Sequence, residues 1–415
     1  MPLRFLLAAI GSSGDVNPVI GLGVGLRARG HEVEIATNEH FRDTIEAQGV
    51  GFVPLGTTAE ANALMDDPLL WDPYRGFGLI MRQALLPNLE RLYRLIEERR
   101  GPDLRVAATS LGLGARVAQE KLGIPTASLH LQPSVFRSLV DNGRLALLDL
   151  GPTVPRPANR ALFWVVDRFF VDRVVAPGLN AFRARHGLAP VRGIFADYHH
   201  SPTLVLGLFP DWFAPVQPDW PAQTRLTGFI LHDAGGTVAA HREAEEFLAA
   251  GPPPVLVTPG SAARDRTAFF RHTVEACAGL GLRAMLVTNH RAQLPPVLPT
   301  GIRAFPYVPF SQILPRCSTL IYHGGIGTLA QAARAGVPQL VVPNAHDQPD
   351  NGQRIRRLGL GFSVPPGRYR RRAAARALAT LAGPGAVRER CREFAPRVDA
   401  AAALARACIL LEALS

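Results

Sequence analysis

The sequence predicts an α/β chain built as two doubly wound, Rossmann-like domains, each on a parallel sheet. Three observations predict it. Short apolar runs alternate with amphipathic stretches along most of the 415 residues, the rhythm of parallel strands joined by crossover helices. A polar, Gly-rich segment, "LHDAGGT" (231–237), interrupts that rhythm, and it restarts beyond. Each half also carries a Gly-rich turn directly after an apolar run, where folds of this class place ligands. The expected division is an N-terminal domain over 1–230 and a C-terminal domain over 238–390, with a cleft between them. A terminal helix over 391–415 is expected to pack across both.

In the first half, strands are expected in order at "RFLLAAIG", "HEVEIAT", "GVGFVPL", "LRVAATS", "PTASLHL", "LVLGLF" and "TRLTGFI". Between Pro133 and Pro202 the pattern breaks into Pro-rich and aromatic segments, including "RALFWVVDRFFVDRVV". That insertion is too long for a plain connection and marks a candidate binding surface. It carries Phe136, Phe163, Trp164, Phe169, Phe170 and Phe182. In the second half the expected strands are "PVLVTPGS", "LRAMLVTN", "IRAFPYV", "TLIYHGG" and "PQLVVPN".

Bulk composition narrows the class. With 47% hydrophobic and 19% charged residues, neither a disordered chain nor a membrane protein is indicated. No apolar run approaches the ~18 residues of a transmembrane helix. "PLRFLLAAIGSSGD" reads as a first strand rather than a signal peptide. The four cysteines are far apart without a CxxC pair, so they are expected as free thiols in a cytoplasmic protein and offer no metal site. The net charge of +11 is almost entirely arginine and dispersed, which does not point to nucleic acid. The exception, "GRYRRRAAARA" (367–377), is either a solvated helix face or a weak attraction to anionic surfaces, membrane included.

The two Gly-rich turns differ in chemistry. "IGSSGDVNP" follows the first strand, but it reads GxxGD rather than the GxGxxG of a dinucleotide site, and the second strand ends in Thr37-Asn38 without an acid for a ribose. Asp15 would repel a phosphate there. It is either an N-cap aspartate or a general base, with Ser13 and Gly14 beside it on the acceptor side. "HGGIGT" (323–328) is the opposite case. His323 ends a strand, Gly324, Gly325 and Gly327 allow close approach, and Thr328 adds a hydroxyl at the start of a helix. Backbone N–H groups at a helix start attract anions, so this turn is a candidate diphosphate cradle, with His323 as a donor or positive charge. Ser261 in "TPGS" offers a second hydroxyl. One helix later, Asp347 and Gln348 leave a strand end together, suited to sugar hydroxyls, with His346 before them. His130 in "SLHLQPS" follows a strand and, with Phe136, is a candidate on the acceptor side.

"HGGIGTLAQAARAGVPQLVVPNAHDQPDN" resembles the donor signature of family 1 glycosyltransferases, enzymes of the GT-B fold, and "GSSGDVNPVIGLGVGLRARGHEV" is similar to that family's N-terminal opening. "DDPLLWDPYRGFG" and "HSPTLVLGLFPDWFAPVQPDWP" are similar to the family's rhamnolipid-forming branch. The resemblance implies that His323, Thr328 and the amides near Gly325 and Gly327 hold a donor diphosphate. Tyr307 and Val308 fall at the nucleobase, Asp347 and Gln348 at the transferred sugar. Gln331 stands where many plant members have a ribose-binding glutamate, and Asp15 where they have a catalytic histidine. The implied reaction is inverting sugar transfer with Asp15 as base. No DxD motif is present, so no metal is expected and the only co-substrate is a nucleotide sugar, dTDP-sugar favoured over UDP-sugar. The branch implies rhamnose from dTDP-rhamnose and a hydroxyalkanoyl lipid as acceptor. Peripheral contact with the inner membrane face or with a lipid-supplying enzyme would accompany it. The alternatives are a natural-product acceptor (polyketide, phenolic or sterol-like) or a sugar-nucleotide epimerase or hydrolase on the same fold.

Overall fold

A computed structural model describes residues 2–72, 75–141, 155–233, 238–260 and 265–415. The chain forms two compact units, Met1–His232 with Ala400–Ser415, and Asp233–Asp399. The first holds β1 (Arg4–Ala8), β2 (Glu32–Thr37), β3 (Gly51–Pro54), β4 (Leu104–Thr109), β5 (Thr126–His130), β6 (Leu204–Gly207) and β7 (Thr224–Leu226). All pairings are parallel, in the order β3-β2-β1-β4-β5-β6-β7. The second holds β8 (Val255–Thr258), β9 (Ala284–Val287), β10 (Ile302–Phe305), β11 (Thr319–Tyr322), β12 (Gln339–Val341) and β13 (Gly361–Ser363). These too are parallel, in the order β10-β9-β8-β11-β12-β13. The α/β doubly wound class read from the sequence holds in both units.

The twelve expected strands all form. The inner strands are buried on both sides, as in β8, β9 and β11, where every residue is buried. That is why they read as continuous apolar runs rather than alternating ones. The strand that sequence reading missed, β13, is three residues long with one of them glycine. It forms because Gly361 pairs with Gln339 on β12 at a distance that leaves no room for a side chain, a Cβ there falling 1.8 Å from the Gln339 carbonyl oxygen.

The expected terminal helix over 391–415 is two helices, Ala386–Phe394 in the second unit and Ala400–Glu412 in the first. Pro396 and the turn Ala395–Arg397 separate them. Helix Ala400–Glu412 packs on helix Ser13–Ala28: Leu404 sits so close to Gly25 that a Cβ on that glycine would lie 2.7 Å from it. Glu412 then receives both guanidinium hydrogen bonds of Arg29, at 2.5 and 2.7 Å, and lies 2.9 Å from His31 Nε2. All four cysteines are buried and unpaired.

In each unit strand order reverses once, between β1 and β4 and between β8 and β11. In doubly wound sheets the crevice at the carboxyl ends of those two strands is where ligands bind. The Asp15 turn follows β1, and the His323 turn follows β11.

Candidate active site

The first crevice is built on Gly11, whose φ of +149° and close approach exclude a side chain: a Cβ would lie 2.3 Å from Asp15 Oδ2. With the chain turned so tightly, Ser12 caps helix Ser13–Ala28. Asp15, in its third position, reaches back to accept the Ser12 N–H at 2.8 Å and the Ser12 hydroxyl at 3.1 Å, both on Oδ2. Asp15 is therefore not the N-cap itself but the carboxylate half of a capping box. The capping and basic roles are compatible, because one oxygen takes both bonds. Burial raises the Asp15 pKa above the usual 3.8, outweighing the Ser12 hydrogen bonds that lower it, and a base with a raised pKa is a stronger one. Beside it, the Thr109 hydroxyl at the end of β4 accepts the Ile10 N–H at 3.4 Å. Ser13 is half-buried and Gly14 exposed in the same turn.

His130 and Phe136 do not belong to an accessible face. His130 is fully buried, its Nδ1 2.9 Å from the Ser110 hydroxyl and its Nε2 2.9 Å from His200 Nδ1. Phe136 stacks between Trp220, at 4.1 Å, and His200, at 5.3 Å. Their position after β5 suggested a binding surface, but the chain folds back over them with His199, His200 and Trp220, and both are core. His130, His199 and His200 also gather three ring nitrogens within 4.8 Å of one another, the one such group of potential metal ligands among the described residues. Two of these nitrogens, His130 Nε2 and His200 Nδ1, already share a hydrogen bond. Burial, with smaller contributions from the charges of Arg116 on His200 and Arg137 on His199, keeps the pKa values of His199 and His200 low.

The second crevice is built around His323. Its ring is wedged between two backbones: a Cβ on Gly260 would lie 2.7 Å from Cε1, and one on Gly325 2.4 Å from Nε2. Gly325 caps helix Ile326–Arg334, and a Cβ on Gly327 would meet nothing within 4 Å. That space lies beside the first turn of the helix, where an anion is best held. Thr328 is half-buried in the same turn. His323 Nδ1 is buried without a hydrogen-bond partner. Burial, with a smaller contribution from the positive charge of Arg266, lowers the His323 pKa to about 4. The ring is thus neutral at pH 7 and able to donate a hydrogen bond.

A positive charge that acts on His323 comes from a residue that sequence reading missed. Arg266 caps helix Thr267–Gly279, which follows β8, and it acts on His323 electrostatically. Its guanidinium is partly desolvated, which lowers its pKa, yet arginine stays a cation in proteins. The Arg266 charge therefore acts at the end of β11, where the neutral His323 ring adjoins the start of helix Ile326–Arg334. Arg266 lies 57 positions before His323 (323 − 266), and no local pattern joins them. Ser261 lies outside the described residues.

The remaining donor-side residues divide. Tyr307 is half-buried, and burial, with the nearby Asp233 charge adding, pushes its phenol up to about 12. It stays protonated and can donate. The Val308 side chain is buried, leaving only its backbone for a ligand. Gln331 already donates its amide to Asp233 Oδ1 at 2.6 Å, while Asp233 Oδ2 accepts the Ser311 N–H at 2.9 Å. The crevice thus holds a carboxylate beside Gln331 that sequence reading assigned to a linker. Gln348 is buried, and its side-chain oxygen accepts the Asn344 and Ala345 N–H groups at 2.8 and 3.2 Å. It holds its own loop, so the expected sugar-binding pair reduces to Asp347 with whatever the Gln348 amide adds. His346 adopts φ +60°, the one non-glycine residue with positive φ among those described, a strain typical of ligand loops.

Asn351, also missed, ties the turn to this loop. Its amide donates to the Gly324 carbonyl at 2.9 Å and to Asp347 Oδ2 at 2.6 Å. Asn351→Leu keeps the shape and removes the amide. It is expected to lower stability by about 1–3 kcal/mol, the cost of buried polar groups left unpaired, and to raise the donor KM. Thermal unfolding and donor kinetics check this together; an unchanged Tm and KM would make the bridge irrelevant.

Comparison with known proteins follows the same division. Residues 5–134 match the model of the glycosyltransferase family 28 N-terminal domain, and residues 282–405 that of the erythromycin biosynthesis protein CIII-like C-terminal domain. The O-mycaminosyltylonolide 6-deoxyallosyltransferase of Streptomyces fradiae is 33% identical over 99% of this chain and 97% of its own. The chain belongs to the family 1 glycosyltransferases. A vancomycin aglycone glucosyltransferase from Amycolatopsis orientalis is 29% identical over 87% of this chain and 86% of its own. Among solved structures, the glycosyltransferase VinC in complex with dTDP superposes with a TM-score of 0.67 at 20% identity, covering 98% of this chain and all of that one. The two parallel-sheet units are those of the GT-B fold. As a family 1 glycosyltransferase, the chain has relatives that use nucleotide sugars and small-molecule acceptors. Rhamnose and a lipid acceptor, the main sequence expectation, gain no support from these relatives; the natural-product alternative fits better. Among the described residues, no helix is long and apolar enough to cross a membrane.

Proposed function

We propose that this glycosyltransferase moves a sugar from a nucleoside diphosphate, dTDP favoured, to a hydroxyl of a natural-product aglycone of the macrolide or glycopeptide kind, with inversion at the anomeric carbon. The observation that carries the reading is the crevice at the end of β11, where the neutral His323 ring, wedged against Gly260 and Gly325, adjoins the start of helix Ile326–Arg334 within reach of the Arg266 charge. These groups supply donors and positive charge for a departing diphosphate. Asp15 supports the inverting course: a single carboxylate with a raised pKa can take the acceptor proton as the oxygen attacks from the face opposite the leaving group. The nearly full-length relation to a 6-deoxyallosyltransferase, and the dTDP bound to VinC, favour a dTDP-deoxysugar donor. Asp347, Tyr307 and Asp233 are then the groups for sugar, base and ribose.

The test is a panel of dTDP- and UDP-sugars, dTDP-rhamnose among them, against macrolide and glycopeptide aglycones, with hydroxyalkanoyl lipids as a second acceptor arm. Products are read by mass spectrometry and anomeric configuration by NMR. A glycosylated aglycone of inverted configuration is expected. Transfer confined to the lipid arm, retention of configuration, or donor turnover independent of any acceptor would each overturn the reading. Because Arg266 and the helix start offer the leaving group positive charge and His323 offers a hydrogen bond, turnover is expected to persist in excess EDTA.

A further inference from the structure

The stretch Arg156–Arg173 runs through helix Arg156–Val166, a π-helical turn Asp167–Val171 and the start of helix Asp172–Arg185. Its inner side is accounted for. Asn159, Val171 and Asp172 are buried, Asp167 pairs with Arg137, and Asp172 accepts the N–H groups of Gly193 and Ile194 at 2.8 and 3.1 Å. Its outer side carries Trp164, Val165, Phe169 and Phe170, which are 61%, 38%, 50% and 64% exposed. Among the described residues Trp164, Phe169 and Phe170 are the only large aromatic side chains so exposed, and they lie within seven positions of one another. The Trp164 and Phe169 rings meet edge to face at 5.9 Å, making one continuous apolar surface.

The exposed charged residues of the stretch are all of one sign. Arg156, Arg160, Arg168 and Arg173 are exposed, and among the described residues none of them pairs with a carboxylate. Both acids of the stretch are already committed inward. An exposed apolar patch of this kind marks an interaction site. Trp and Phe set among arginines, with no exposed acid, is the composition of a helix that lies in a bilayer interface. There the rings enter the acyl boundary while the guanidiniums meet phosphates, their stems lying along the apolar surface.

We infer that this helical face docks the enzyme on an anionic lipid surface. The inference is independent of the sugar and the aglycone, and it places the enzyme where apolar acceptors partition. Flotation of the full chain with phosphatidylcholine vesicles, with and without phosphatidylglycerol, at low and high salt, tests it. Binding is expected to the anionic vesicles, to weaken with salt, and to fall at least about tenfold on pure phosphatidylcholine. The same loss is expected for the triple variant Trp164→Ser, Phe169→Ser, Phe170→Ser and for the double variant Arg160→Gln, Arg168→Gln. All the substituted side chains are exposed, and an unchanged melting temperature and dTDP affinity show the fold intact. No flotation with anionic vesicles, or flotation that both variants retain, overturns the inference. So does a lipid-free dimer that the triple variant abolishes, since the face would then be covered by a second copy.

Discussion

Asp15→Asn lowers kcat by about 10²–10⁴, the share of a general base, while dTDP binds as tightly as before. The asparagine oxygen can still accept the Ser12 N–H that Asp15 accepts at 2.8 Å, so helix Ser13–Ala28 keeps its cap and stability changes by no more than about 1 kcal/mol. A cap and a base make opposite demands on this experiment. If Asp15 only closed the capping box, Asn would serve and turnover would survive. Steady-state kinetics and calorimetry with dTDP separate the two roles. Asp15→Ala, which removes both, should lose activity and destabilise the helix start together.

The second large effect concerns the diphosphate. His323→Ala removes a donor that Gly260 and Gly325 hold in place, and Arg266→Ala removes the charge that acts on it. Each is expected to weaken dTDP by about ten- to a hundredfold, the range of a hydrogen bond to a charged group, and to leave the much weaker affinity for thymidine unchanged. Because Arg266 helps hold the His323 pKa down at about 4, its removal lets that pKa rise. With its pKa at about 4, the wild-type ring stays neutral from pH 7 to 5, so its share of dTDP binding is expected to change little over that range. Equal weakening of dTDP and thymidine would place these residues elsewhere than at the phosphates.

The parts of this molecule that were legible in the sequence are those with a local cause. The strands read as apolar runs because parallel strands are buried on both faces, and the two Gly-rich turns announced themselves at the switch points. The placing of His323 and Thr328 at a helix start was legible because that start and its glycines lie within six residues. What was not legible depends on distant pairing. Arg266 joins His323 only because β8 and β11 are neighbours in the sheet. Gln348 looked free beside Asp347, but its oxygen satisfies two loop amides that no pattern reveals. The aromatic insertion read as a single binding surface. In the fold, Phe136 and Phe182 are core while Trp164, Phe169 and Phe170 face outward, a sorting set by tertiary contacts rather than by residue type.

The central claim, that the Asp15 carboxylate takes the acceptor proton, is tested most directly by the pH profile of kcat/KM for the acceptor in the wild type and in Asp15→Asn. Burial raises the Asp15 pKa, and a base works only when deprotonated. Wild-type activity should therefore fall, as pH decreases, along an acid limb whose midpoint lies above the 3.8 of an ordinary aspartate. The residual activity of Asp15→Asn should lack that limb. The same acid limb in both proteins would contradict the claim and leave Asp15 as a helix cap.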